Sequence, residues 1–134
     1  MVYCASALSL ATLELFVHLD PDDLPDDLVS IRAEVPDDLL NETVEPQTLP
    51  SGWNQTPGLV ALQDLGSAWV NSSRGVALVV PSAIIPSERN VLLNPKHADM
   101  ARVVRQPPRS FTFDPRMRKW VAPPAGRAGR AKRG

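Results

Sequence analysis

A chain of 134 residues, 43% hydrophobic and 22% charged, has the size and balance of one globular domain rather than of a collagen-like or wholly disordered polymer. Its single cysteine, Cys4, excludes an internal disulfide framework and fits a reducing, cytoplasmic compartment; no apolar run approaches the ~20 residues of a membrane span. The net charge of −1 hides segregation, because residues 1–46 hold eleven of the fifteen acids and one base, Arg32, while residues 96–134 hold eleven of the fourteen bases. The start Met1-Val2-Tyr3 lacks the basic flank of a secretory leader.

Val2-Tyr3-Cys4-Ala5 reads as the end of a β-strand. Ser6 is placed to cap a helix over residues 7–19, whose stripes Leu8, Ala11, Leu15, Leu19 and Leu10, Leu13, Val17 make it apolar over most of its girth and predict a largely buried element. Asp20-Pro21 stops it, and an aspartate-rich loop follows. Leu28-Val29-Ser30-Ile31-Arg32-Ala33-Glu34-Val35 alternates like a half-buried strand that ends at Pro36, and residues 36–56 read as irregular. Thr56-Pro57 predicts the start of a second helix running to about Ser72, with Leu59, Leu62, Leu65 or Gly66, and Trp69 on its buried face.

Val76-Ala77-Leu78-Val79-Val80 is a continuous apolar run of the kind found in a central strand covered on both faces. Val91-Leu92-Leu93-Asn94-Pro95 is a short apolar segment ending at a turn, and Arg102-Val103-Val104-Arg105 and Ser110-Phe111-Thr112-Phe113 read as two late strands. Helices and strands mix, so the expected class is α/β or α+β, a mixed sheet with flanking helices. Residues 1–118 form the expected domain. Residues 119–134, basic and nearly free of large apolar side chains, are expected to form a disordered tail, either an arm for a partner or nucleic acid or a solvated end with no dedicated role.

Few residues carry chemistry. Glu14 has Leu10, Ala11, Val17 and His18 as angular neighbours, so its carboxylate is expected to be partly desolvated and either to hold its proton more tightly or to require a partner; it is either a catalytic group or an edge residue paired with His18 one turn on. Ser82 directly follows the apolar strand, at the end where ligands gather in open sheets, or else it is simply a turn serine. Tyr3, the only tyrosine, could stack on a planar ligand or pack as an ordinary aromatic. Asn90 and Asn94 bracket Val91-Leu92-Leu93 and could contact a ligand or shape turns. Trp53, Trp69 and Trp120 read as packing residues. Two histidines and one cysteine, without ligand spacing, do not make a metal site, and phosphate-cradling glycine loops and a hydrolase elbow are missing from the sequence.

Several blocks together resemble the RES-domain family: Val2-Tyr3-Cys4-Ala5-Ser6, Leu13-Glu14-Leu15-Phe16-Val17-His18-Leu19, Val79-Val80-Pro81-Ser82-Ala83, Glu88-Arg89-Asn90-Val91-Leu92-Leu93-Asn94-Pro95 and Phe111-Thr112-Phe113-Asp114-Pro115-Arg116. They stand in the family's order over residues 2–116. The resemblance implies a fold similar to ADP-ribosyltransferases and the toxin half of a bacterial toxin–antitoxin pair. It implies breakage of the nicotinamide–ribose bond of NAD⁺, a substrate rather than a resident cofactor, with phosphate or water as acceptor. It also implies a helix-turn-helix antitoxin of the Xre type, through which alone nucleic acid would be reached. Glu14 and Ser82 correspond to the family glutamate and serine, and Tyr3 to the tyrosine lining the NAD⁺ pocket. The family arginine lies upstream of the strand ending at Tyr3, in a segment this chain does not contain, and Arg32, Arg74 and Arg89 sit in other contexts. The expectation is accordingly an N-terminally truncated RES domain, from a start placed too late or a gene remnant in preference to a genuine short variant. Its alternative is a catalytically inactive module that only binds a partner protein.

Overall fold

The computed structural model describes residues 1–20, 22–55 and 60–120. Strand β1 (Val2–Ala5) leads into helix α1 (Leu8–Phe16); short strands β2 (Val29–Ser30) and β3 (Ala33–Glu34) follow, then helix α2 (Val60–Ser72). Strands β4 (Ala77–Pro81) and β5 (Arg89–Leu93) form a hairpin, β6 (Val104–Arg105) and β7 (Arg109–Ser110) are the last strands, and a 3-10 helix, Pro115–Trp120, ends the described residues. The result is the expected mixed α+β architecture. The Thr56-Pro57 helix start, Leu59, the side chain of Trp120 and the basic tail beyond residue 120 lie outside the described residues.

The main sheet is antiparallel, in the order β1-β5-β4. The central strand is therefore β5, not the apolar run at residues 76–80, which forms an outer strand. Its outer edge is partly capped: Val44 N–H donates to the Val79 carbonyl and Val79 N–H to that of Glu42. The expectation of two covered faces does hold, because side chains alternate across a strand. On one face Ala77 and Leu93 pack with Leu39, Val76 and Val103. On the other, Leu78 and Leu92 pack under Trp69 of α2. A continuous hydrophobic run reports double coverage, and it cannot report position in the sheet.

Three further expectations are corrected. Ser6 does not cap α1: Ala7 is the N-cap residue, with no side-chain bond, and Ser6 N–H instead extends the strand pairing to the Arg89 carbonyl. Helix α1 is not largely buried, since only Leu10 is enclosed and Leu8, Leu15 and Val17 face outward. It is held from one end, where the Phe16 ring lies 5.6 Å from that of Phe113, which in turn meets Phe111 at 5.4 Å. The strand expected over residues 28–35 is two strands. Ile31 and Arg32 are both exposed in succession, so the inward phase slips from Leu28 and Ser30 to Ala33 and Val35, and the two halves pair with β7 and β6 separately.

Helix α2 buries Gly66 and Trp69, and of the two sequence alternatives it is Gly66, not the half-exposed Leu65, that faces inward. A Cβ at Gly66 would stand 3.4 Å from the Met1 methyl carbon, so the missing side chain lets Met1, just before β1, close against the helix. Among the described residues no helix is long and apolar enough to cross a membrane.

Candidate active site

Strand register sets the site. Tyr3, Leu92 and Leu78 are directly opposite one another across the sheet, and Ala5, Asn90 and Val80 form the next row on the same face. Asn90 is thus a polar residue in a row otherwise aliphatic, on the central strand, and it is fully enclosed. Helix α1 starts three residues after β1 and folds back against it, which carries Glu14 over this row.

One carboxylate oxygen, Glu14 Oε1, gathers the polar groups. Ser82 Oγ–H donates to it at 2.8 Å and Asn90 Nδ2–H at 2.6 Å. Asn90 uses its other amide hydrogen on Tyr3 Oη at 2.8 Å. Among the described residues no hydrogen bond reaches Glu14 Oε2. The His18 pairing weighed from the sequence is not formed; the carboxylate is partnered across the sheet rather than along its own helix.

Ser82 is held as firmly as it holds. It is fully buried, and its oxygen accepts the backbone N–H groups of Ile84 and Ile85 at 3.1 and 3.0 Å. That turn, bracketed by Pro81 and Pro86, fixes the hydroxyl so that its single proton goes to Glu14. Burial, then the negative charge of Glu14, push the Tyr3 hydroxyl pKa above its ordinary 10.0, and the Asn90 bond opposes them. Cys4, next along β1, has its thiol pKa raised by burial.

The structure thus brings together Tyr3, Glu14, Ser82 and Asn90, and it leaves Asn94 elsewhere. Asn94 lies four residues further along, about 13 Å at strand spacing. Its amide donates to the Val70 carbonyl near the end of α2, and its side-chain oxygen accepts Lys96 N–H. This ties a helix end to a turn, and Asn94 makes no contact with the Glu14 cluster.

Tyr3 also lines a cleft of about 460 Å³ between α2, the sheet and the 42–53 segment. Its walls are mainly apolar, with Trp53, Trp69, Leu62 and Leu92 contributing. Trp69, read from sequence as packing, is buried and donates its indole N–H to Glu42 Oε2 at 3.1 Å. Arg74 stands at the same cleft with its guanidinium 2.9 Å from Glu42 Oε1. Sequence reading gave neither Glu42 nor Arg74 a place here; the only available signal was an acid far from its base in the chain, and spacing cannot pair residues 32 positions apart. Among the described residues no group of three His, Cys, Asp or Glu side chains could hold a metal.

Comparison with known proteins matches the RES-domain family model to residues 1–114. The chain is 40% identical to the Prs ADP-ribosylating toxin of Sphingobium sp. over 119 residues, covering 87% of this chain and 74% of that protein. It is 34% identical to Toxin Res of Yersinia enterocolitica, over 87% of this chain and 77% of the relative. It is 37% identical to Toxin Res of Photorhabdus laumondii, over 88% and 76%.

Proposed function

This chain belongs to the RES-domain family, and from that premise we propose that it is the toxin of a bacterial toxin–antitoxin pair that degrades NAD⁺ in the cytoplasm. The reaction breaks the bond between the nicotinamide nitrogen and ribose C1′. Phosphate or water forms the new bond to C1′; nicotinamide leaves with the bonding electron pair and becomes neutral, and water as acceptor also releases a proton.

The observation that carries this reading is the held carboxylate. Bond breakage builds positive, oxocarbenium-type charge on the ribose. A carboxylate fixed in advance stabilises that charge without having to reorganise during the reaction. In Glu14, Oε1 takes both hydrogen bonds from Ser82 and Asn90, and Oε2 is the oxygen left to face a substrate. Tyr3, about half exposed and at the cleft, offers a ring on which nicotinamide can stack. Ser82 acts through Glu14, since all its bonding capacity is engaged. A helix-turn-helix antitoxin that covers this opening would silence the enzyme by exclusion.

The name of the Sphingobium relative supports a second reading on the same site, in which a protein side chain rather than phosphate or water accepts the ADP-ribosyl group. The same bond breaks and the same carboxylate serves.

Purified full chain incubated with NAD⁺, with and without phosphate, tests both. Nicotinamide release with ADP-ribose or its 1″-phosphate as co-product supports the first reading. Release only when a cell extract is present, with label transferred to protein, supports the second. No release under either condition, together with co-purification of a helix-turn-helix partner, would leave the inactive partner-binding module. Glu14→Gln should abolish whichever activity is seen.

A further inference from the structure

Asn90 is the anomaly of the sheet. It occupies the middle strand, between Ala5 and Val80, at a position that core packing alone would fill with an aliphatic side chain. Its Oδ1 is buried and, among the described residues, has no hydrogen-bond partner. The amide orientation is fixed nonetheless. Turning it over would set oxygen against the Glu14 carboxylate at 2.6 Å and leave Tyr3 without its donor. The fold therefore carries an orphan acceptor in order to aim both amide hydrogens, one at Glu14 and one at Tyr3.

We propose that Asn90 is the positioning residue of this site, a two-pronged donor that locks the Glu14 carboxylate and the Tyr3 ring into one relative geometry. The consequence for each partner is directional. Tyr3 Oη accepts the amide hydrogen, so its own proton is not spent on Asn90 and stays available to another acceptor. Glu14 Oε1 is engaged by both Asn90 and Ser82, and among the described residues no hydrogen bond engages Oε2. The Tyr3 ring, which lines the cleft, and the Glu14 carboxylate behind it are then held in one arrangement before any ligand binds. This assignment rests on the NAD⁺ reading for its catalytic meaning, and on the geometry alone for its physical meaning.

Two measurements on the full chain separate those meanings. Tyr3 is the only tyrosine, so ultraviolet titration reports it alone. Asn90→Leu removes the donor that lowers the Tyr3 pKa, so the tyrosinate transition should move to higher pH; Glu14→Gln, which removes the opposing charge, should move it lower. The second measurement is the pH profile of nicotinamide release by the isosteric Asn90→Asp. Two carboxylates at this distance share one proton. With the proton present the introduced carboxyl still donates to Glu14, and without it the two repel. Activity of this variant should fall as pH rises and the shared proton is lost, a limb that the wild-type profile does not share. Asn90→Leu should lower kcat about 100-fold with little change in KM, as expected when reacting groups are displaced.

A Tyr3 transition unmoved by Asn90→Leu, in a chain whose far-ultraviolet spectrum and melting remain cooperative, overturns the positioning claim. So does an Asn90→Asp profile parallel to wild type. Failure of wild type to release nicotinamide overturns the NAD⁺ reading instead, and the tyrosine titration then decides Asn90 without substrate. Should Asn90→Leu fail to fold, Asn90→Asp and the Glu14→Gln titration carry the test.

Discussion

Ser82 Oγ lies 2.8 Å from Glu14 Oε1 although 68 residues separate them, and it accepts two backbone amides from its own turn at the same time. The hydroxyl is a rivet between the end of β4 and the face of α1. Ser82→Ala removes three hydrogen bonds and strands the N–H groups of Ile84 and Ile85. A bond to a charged acceptor contributes about 1.5–3 kcal/mol. Urea unfolding should show a loss of that order, and nicotinamide release should fall roughly 10- to 100-fold in kcat.

Helix α1 has one enclosed side chain and depends on its far end for position. Phe113, itself buried, is the aromatic that Phe16 rests on. Phe113→Ala should cost about 3–5 kcal/mol in chemical denaturation. Because α1 carries Glu14, activity per folded molecule should also drop, whereas Leu93→Ala, on the opposite face of the sheet, should lower stability and leave kcat of the folded fraction near wild type.

The raised Tyr3 pKa links stability to alkaline pH. The folded state holds the phenolic proton more tightly than the unfolded chain, whose value is near 10.0. The contribution is therefore intact below pH 10 and is lost as pH rises from there through the higher folded value. Unfolding followed from neutral to strongly alkaline pH should show this fall, and Tyr3→Phe should remove it.

Asp114 titrates in the opposite sense. Hydrogen bonds from the Arg116 guanidinium and backbone N–H hold its carboxyl at about 2, against an ordinary 3.8. Any stability it adds is present above 3.8 and disappears as pH falls through 2. Carboxyl resonances followed by acid titration should place Asp114 near that low value, and Arg116→Gln should return it toward the ordinary range. Both groups are solvent-exposed, so thermal melting at neutral pH should barely change.

Much of the site was legible because one carboxylate had aliphatic neighbours on every helical side but one. Glu14 had to find a partner, and the sequence blocks indicated Ser82. Asn90 and Asn94 were indistinguishable in one dimension, since both are asparagines flanking the same apolar triplet. Only the register of β5 separates them, placing Asn90 under α1 and Asn94 under the end of α2. The exposure of α1 was illegible for a related reason: periodicity reports which residues are apolar and says nothing about what stands opposite. Strand order failed likewise, because Val76-Ala77-Leu78-Val79-Val80 owes its apolar character to two covered faces, and an outer strand between two clusters satisfies that as well as a middle one.

The antiparallel order β1-β5-β4 also bears on synthesis. A ribosome that has delivered only the first two elements has made the Glu14 carboxylate and the Tyr3 ring without either hydrogen-bond donor to that carboxylate; the hydroxyl comes after residue 81, the amide later still, and the middle strand is the last of its sheet to emerge. Any shorter N-terminal piece of the chain therefore lacks the assembled cluster, which exists only once the β4–β5 hairpin has closed against β1.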